Sequence, residues 1–513
     1  MTDSPPLERR IAVIGGGISG LAAAHRLVEL QPGCRLVLFE AASRLGGVLE
    51  TIHEQGFQVE QSADNFITTV PWGVGLCKRI GMDDELIQTN PEHRKTFVVR
   101  SGRLCHLPDG FLMMAPTRLW PLAVTPILSP LGKFRAALEY FIRPRITDED
   151  ESMAAFVRRR LGREVFERLV EPLVSAVYAA DMEKLSVEAT LVQFREMELE
   201  HGSLIRAMRH RMKNRPKAAT NLRSVHGDTG ARYSMFVTPR HGLSSMVERI
   251  ASCLPRDAVR LGARVERIER RADGRWGVFV MGQGGRESFS MSAEQSSDWR
   301  NPLSPTWKTT PDPFRGAEVF DALILATPSY EAARLLRPLD AELADKLAAI
   351  EHSGTAIVSV GYDRRQIAHP LDGMGVVIPA IENSPMLACS FSSQKYPHRA
   401  PEGKVLLRVF AGGAKRPELA EMEDGRLLPL VLGELGRLLG IRGEPCYTTI
   451  AHWPRTMPQY HVGHKKLVEE VRARVRGLPH IAFAGNAYQG VGIPHCIHSG
   501  QQAAEEILVT RPA

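Results

Sequence analysis

Apolar residues follow two different periods along this chain, and the changes of period mark its elements. Ile11 to Ile14 form a short apolar run and Leu21 to Leu30 repeat apolar residues at helical spacing, which predicts a buried parallel strand handing over to a helix. Leu36 to Phe39 reads as a second strand. Ala263 to Ile268 and "GVFVM" flank the turn "RADGRW" as a hairpin, and "FDALILATP" (320–328) reads as a buried strand with a small-residue turn. Ile481 to Ala484 is a last strand, followed by a loop holding Gly485, Gly490 and Gly492 and a helix expected to start near His498. Residues 150–215 carry Leu, Glu, Arg and Met at helical spacing. Residues 281–318 are polar, rich in Gly, Ser and Pro and aperiodic, which predicts an exposed, flexible insertion with no chemistry of its own.

The first handover carries candidate chemistry. In "RRIAVIGGGISGLAAAHRLVEL" (9–30), Gly15, Gly17 and Gly20 fit G-x-G-x-x-G. The first glycine allows a tight turn, the second lets backbone approach a pyrophosphate, and the third lets helix and strand pack closely. The helix start then offers free N–H groups and a positive dipole end, with Ile18 and Ser19 in its first turn. Glu40 ends the second strand, twenty residues after Gly20, where a carboxylate can accept from a ribose hydroxyl. A glycine turn that serves packing alone is the competing reading; strand, helix and acidic residue in register favour a nucleotide.

Size and composition narrow the class. The chain has 513 residues, enough for two or three domains, with 43% hydrophobic and 24% charged residues. Its net charge of +7 and pI near 9.1 suit anionic partners. The basic residues, as in "RHRMKNRPK", are not interleaved with aromatics, so nucleic acid is not expected. Seven cysteines are spread without a C-x-x-C, which argues against zinc, any other metal or a disulfide framework and fits a reducing cytoplasm. "MTDSPPLERR" shows no apolar signal-peptide core. The apolar stretch 111–132 is interrupted by Arg118 and by Pro116, Pro121, Pro126 and Pro130, so it cannot be a regular spanning helix. Two readings stay open for it: ordinary packing, or peripheral contact with the cytoplasmic face of a membrane. No Ser/His/Asp, Cys/His or paired-carboxylate catalytic set is identifiable.

Arg44, Gly46 and Gly47 in "EAASRLGGVLET" resemble the R-x-G-G extension of FAD enzymes of the amine-oxidase superfamily. Over nearly its whole length apart from 281–318, the chain resembles the oxygen-dependent, FAD-containing protoporphyrinogen oxidase family, some of whose members oxidise coproporphyrinogen III. The most diagnostic stretches are "VYAADMEKLS", "FSSQKYPHRAPEGKVLLRVFAGG" and "AGNAYQGVGIPHCIHSGQQAA". The resemblance implies an α/β fold: a Rossmann-like FAD-binding domain of amine-oxidase type (1–66, 236–330 and 478–513), an inserted α+β substrate-binding domain (67–107 and 331–477) and a mostly helical, membrane-facing domain (108–235). It implies one noncovalent FAD held by Gly15, Gly17, Ile18, Ser19, Gly20, Glu40, Ala41, Arg44, Gly46, Gly47, Val48, Ala63, Asp64, Asn65, Val265, Gly485, Val491, Gly492 and Ile493. Flavin N5 is then the hydride acceptor, and the C-terminal helix can stabilise charge on the N1–C2 edge.

The implied reaction is the six-electron, O2-dependent oxidation of protoporphyrinogen IX to protoporphyrin IX in haem biosynthesis, with hydrogen peroxide released. Coproporphyrinogen III is the alternative substrate. A flavin amine oxidase, a carotenoid desaturase and a non-catalytic flavoprotein scaffold are the competing functions. Arg94 and Lys95 are candidate propionate anchors, Tyr396 and Tyr178 candidate pocket aromatics, and Val377 and Ile378 a candidate apolar wall. The next haem-pathway enzyme and a second copy of the chain are candidate partners. Two glycines and a proline of the family pattern are Ala176, Ala180 and Met182 here, and "SADNF" stands where many members have G-P-N or G-P-R. The alanines would shift backbone if the glycines they replace use positive φ.

Overall fold

A computed structural model describes residues 9–93, 95–213, 235–281 and 317–509. Arg94 and, except for its ends, the 281–318 segment lie outside the described residues. The first strand, Arg10–Ile14, is central in a five-stranded parallel sheet, with Arg35–Phe39 and then Val259–Arg260 on one side and Ala322–Leu325 and then Ile481–Phe483 on the other. Strands from four distant parts of the chain thus build one nucleotide sheet, buried on both faces as parallel sheets are. The first helix, Ile18–Leu30, packs along the C-terminal helix, Ile493–Val509. That contact is very close: a Cβ on Gly500 would lie 2.1 Å from the Ser19 carbonyl oxygen. The C-terminal helix begins five residues before the expected start near His498. Pro494 in its first turn removes an N–H that has no intrahelical partner, so the proline costs nothing there. The predicted hairpin forms as Val265–Arg270 against Trp276–Val280.

A second, seven-stranded sheet runs in the order Tyr447–Pro458, His352–Asp363, Lys404–Gly412, Met386–Phe391, Gly375–Val377, Thr96–Arg100 and Arg103–His106. Its pairs are antiparallel except for the parallel join of Gly375–Val377 to Thr96–Arg100. Strand alternation gives the sheet two faces. One carries Phe97, Val376 and Ile378 against Leu427, Val431 and Leu435 of the helix Asp424–Leu439. The other carries Val98, Val377 and Ala388 against a helical body built around Phe156, Leu169, Leu173 and Met182. Among the described residues no helix is long and apolar enough to cross a membrane.

The two alanines that replace family glycines do not use positive φ. The left-handed position falls between them, on Ala179 (φ 47°), where the helix Glu171–Tyr178 ends. Its carbonyl accepts from Ala414 N–H at 2.8 Å, which fixes the turn against the seven-stranded sheet. An L side chain in this region costs about 1–2 kcal/mol, partly offset by the greater chain entropy of glycine when unfolded. Ala179→Gly is therefore expected to stabilise the protein by about 0.5–1 kcal/mol, read as a raised midpoint in chemical denaturation.

Candidate active site

The glycine loop forms a cradle. Gly15 (φ +108°) turns so tightly that a Cβ there would meet the Ala326 carbonyl oxygen at 2.5 Å, and one on Gly20 would meet the Gly15 carbonyl oxygen at 1.9 Å. A Cβ on Gly17 would meet nothing within 4 Å. Gly17 is also the N-cap of the first helix and supplies no side-chain acceptor, so the opening N–H groups of that helix have no side-chain cap beside this open space. Gly46 N–H donates to the Gly16 carbonyl at 2.9 Å, and Gly47 comes so near that its Cβ would lie 3.3 Å from Gly17 Cα. Ala41 and Gly47 are exposed beside this space and Val48 is 38% exposed. This arrangement fits a dinucleotide pyrophosphate.

Glu40 accepts from Gly16 N–H (2.6 Å) and Ala42 N–H (2.7 Å), one bond to each carboxylate oxygen, which leaves acceptor capacity for a ribose hydroxyl. Arg44 is drawn toward its own loop. It donates to the carbonyls of Leu45 and Leu49 and pairs with Glu50 at 3.0 Å, so its donors are met here by internal acceptors. Val265 is buried and its carbonyl accepts from Arg334 at 2.8 Å. At the C-terminal loop, Gly485 (φ +139°) donates its N–H to Ser499 Oγ, and Val491, Gly492 and Ile493 lead into the helix.

Ala63, Asp64 and Asn65 lie in the loop between strands Phe57–Glu60 and Phe66–Ile67. Asp64 receives Lys395 Nζ on both oxygens (3.1 and 3.0 Å) and Asn65 Nδ2 at 2.7 Å, and Arg408 Nη1 is 3.5 Å away. Next to this group Glu60 accepts from Arg399 at 2.8 Å, from Thr51 Oγ1 and from Leu243 N–H. Burial works to raise the Asp64 pKa, but Lys395 and Arg408 outweigh it and hold the carboxyl below its ordinary value. For Glu60 burial wins over Arg399 and the pKa is raised. Burial likewise lowers that of the Lys395 ammonium against the pull of Asp64. Sequence reading missed these partners. The available signal was Arg408, a charge inside the apolar run "VLLRVFAG".

The candidate substrate residues separate. Val377 and Ile378 are adjacent in an extended segment and so face opposite sides: Val377 toward the helical body, Ile378 toward the helix Asp424–Leu439. Val377 shares its cluster with Tyr178, Ala176, Phe410 and Val491, which joins the diagnostic helix end, the seven-stranded sheet and the C-terminal loop in one apolar seam. Burial pushes the Tyr178 phenol up to about 12, so it stays protonated at neutral pH. Tyr396 is fully buried, with Lys395 and Arg399 each 5.5 Å from its ring centre, so it belongs with the charged group and not with Tyr178. Lys95 is exposed just before the inner strand Thr96–Arg100, and its carbonyl accepts from Met374 N–H at 2.7 Å. Among the described residues no His, Cys, Asp and Glu group could hold a metal, and all seven cysteines are free.

A family model described as "Flavin containing amine oxidoreductase" matches residues 18–508. The coproporphyrinogen III oxidase of Bacillus subtilis (strain 168) is 31% identical over 98% of this chain and 98% of its own. The chloroplastic protoporphyrinogen oxidase of Nicotiana tabacum is 28% identical over 98% of this chain and 86% of its own. A solved structure of a protein from Exiguobacterium sp. 255-15 is similar with TM-score 0.81 and 29% identity, covering 98% of this chain and 99% of that one.

Proposed function

The chain belongs to the flavin containing amine oxidoreductase family, and from that premise we propose that it is an FAD-dependent porphyrinogen oxidase of haem biosynthesis. The observation that carries this reading is the seam in which Tyr178 and Met182 of "VYAADMEKLS" meet Val377, Phe410 and Val491 in one apolar cluster. Bound flavin supplies a two-electron acceptor for the saturated carbons of the macrocycle. The chain's own groups supply the surroundings. The Gly17 space and the N-terminus of the first helix receive the pyrophosphate, and Glu40 receives the ribose. The N-terminus of the C-terminal helix offers its positive dipole end to negative charge. The apolar seam excludes water and orients a flat ring, and a protonated Tyr178 adds no charge to it.

Protoporphyrinogen IX is the substrate expected from the sequence. The full-length similarity to a coproporphyrinogen III oxidase, over 98% of both chains, favours the four-carboxylate porphyrinogen as a second reading. Aerobic incubation of the purified protein with each porphyrinogen, followed by porphyrin fluorescence, separates them. Turnover of neither, with oxidation of an amine or none at all, refutes the proposal. We assign the substrate carboxylates to Arg94 with Lys95. A charge-assisted pair contributes about 1.5–3 kcal/mol, so Arg94→Ala is expected to raise KM by about one to two decades with flavin content unchanged. Ordinary KM values in both single alanine variants would remove this anchor.

Peripheral membrane contact is part of the same reading. The stretch 111–132 forms a short hairpin, a helix Leu119–Val124 and the start of a helix Pro130–Ala137. Trp120, Leu131, Phe134 and Phe141 are exposed at 76, 81, 65 and 75%, and Arg118 and Arg143 are exposed nearby in sequence. Co-sedimentation with vesicles containing anionic lipid is expected, weakened by high salt and by Trp120→Ser with Phe134→Ser. Equal recovery in the supernatant with and without vesicles at low salt would count against it.

A further inference from the structure

The loop 61–65 is gripped by side chains of the seven-stranded sheet and of the short helix Ser392–Lys395 that follows one of its strands. Trp453 Nε1 donates to the Gln61 carbonyl at 2.5 Å, Arg408 donates to the Ser62 carbonyl, and Lys395 holds Asp64. Arg399 holds Glu60, immediately before the loop. Three cations and two carboxylates thus stand together, a surplus of one positive charge. Glu60, Arg399 and Arg408 are almost fully buried. Arg408 is 1% exposed, and its Nε and Nη1 have no hydrogen-bond acceptor. Nη1 stands 3.5 Å from the Asp64 carboxylate that Lys395 also uses, and Nε faces no acceptor, so two buried cations share one anion, an arrangement that further negative charge nearby would relieve.

The position indicates which charge. Arg408 and Phe410 are two residues apart on one strand face, the guanidinium 5.4 Å from the phenyl centre, and Phe410 packs into the seam with Val491. Phe66, one residue past the loop, and Pro494, in the first turn of the C-terminal helix, both close on Gly73. The loop therefore borders both the helix end, where the flavin ring is expected, and the seam beside it. A flavin that accepts two electrons and one proton gains one negative charge.

Resting on the flavin reading, we propose that the Lys395–Asp64–Arg408 group is a positioning element that sets the reduction potential of the bound flavin through its surplus positive charge. The sign separates this role from that of a mechanical latch. Removing a cation disfavours the reduced, negative state, whereas removing the carboxylate favours it. A latch loosened from either side would respond in one direction.

The test is the two-electron midpoint potential of the purified holoprotein, measured against a reference dye, with the flavin-to-protein absorbance ratio recorded alongside. Lys395→Met is expected to lower the reduction equilibrium about tenfold, equal to about 30 mV for a two-electron couple. Asp64→Asn should raise it by a similar factor, and the double variant should return to within about threefold of the parent. Should Asp64→Asn lose its flavin, Glu60→Gln makes the same change of charge at the other end of the loop and takes its place. Shifts of the same sign, no shift, or loss of flavin from Lys395→Met would each overturn the proposal. A parent protein that carries no flavin would instead refute the cofactor reading.

Discussion

Gly17→Val is expected to yield a folded but colourless protein. The backbone at Gly17 (φ −69°, ψ 176°) is extended and open to any residue, and an added Cβ meets no atom within 4 Å. The substitution therefore strains nothing in the chain itself. What it fills is the space beside Gly47 and before the N-terminus of the first helix, where a pyrophosphate must come close to backbone N–H groups. A branched side chain there should weaken flavin binding at least a hundredfold, about 2.7 kcal/mol. Absorbance near 450 nm after purification reads the loss, and circular dichroism of the apoproteins should show the same melting curve for parent and variant. Gly20→Ala is the contrasting control: its Cβ would stand 1.9 Å from the Gly15 carbonyl oxygen, so that variant should fail to fold. A yellow, fully loaded Gly17→Val protein would refute the assignment of this loop.

The contrast between these glycines also explains what was legible in the sequence. The strand, turn and helix of residues 10–30 and the acid at Glu40 follow from local period and spacing, and the sheet forms on those strands. Period cannot tell which of two neighbours faces a pocket when both are apolar. In sequence Val377 and Ile378 look like one wall for that reason, although strand alternation sends them to opposite faces. Long-range partners are hidden more deeply. Asp64 and Lys395 are 331 residues apart, and nothing local to either indicates that they share hydrogen bonds. The close contact of Gly500 with Ser19 is likewise made by two helices at opposite ends of the chain. Ala179 shows the reverse case. The family pattern directed attention to the replaced glycines at 176 and 180, while the helix ended in the left-handed region at the residue between them.

Glu139→Ala is expected to cost about 3–5 kcal/mol, the range for removing one partner of a buried ion pair. Glu139 and Arg160 are both completely buried and paired. The same carboxylate accepts from Ser203 Oγ at 2.6 Å and from the N–H groups of Leu204 and Ile205 at 2.8 and 3.2 Å, which caps the helix Leu204–Lys213. Alanine would leave the two amides and the hydroxyl without this acceptor and Arg160 short of charge. The carbonyls of Ile142 and Gly202 and the more distant Glu198, at 3.5 Å, would remain to it. Glu198 is already engaged by Arg159 and Arg195 and has little to spare. The double variant Glu139→Leu with Arg160→Met removes both charges and should recover the part of the loss due to the unpaired guanidinium, Glu198 keeping its other partners, while the amides of Leu204 and Ile205 and the Ser203 hydroxyl stay without their acceptor. Urea midpoints of the parent, Glu139→Leu, Arg160→Met and the double variant measure the cycle, and that of Glu139→Ala the cost itself. A Glu139→Ala cost below about 1 kcal/mol would mean that the pair is effectively solvated. The consequence reaches the surface, since Glu139 lies in the turn Leu138–Phe141, whose Leu138 and Phe141 side chains face outward. Loss of the bridge should therefore reduce vesicle binding along with stability, although Glu139 itself touches no solvent.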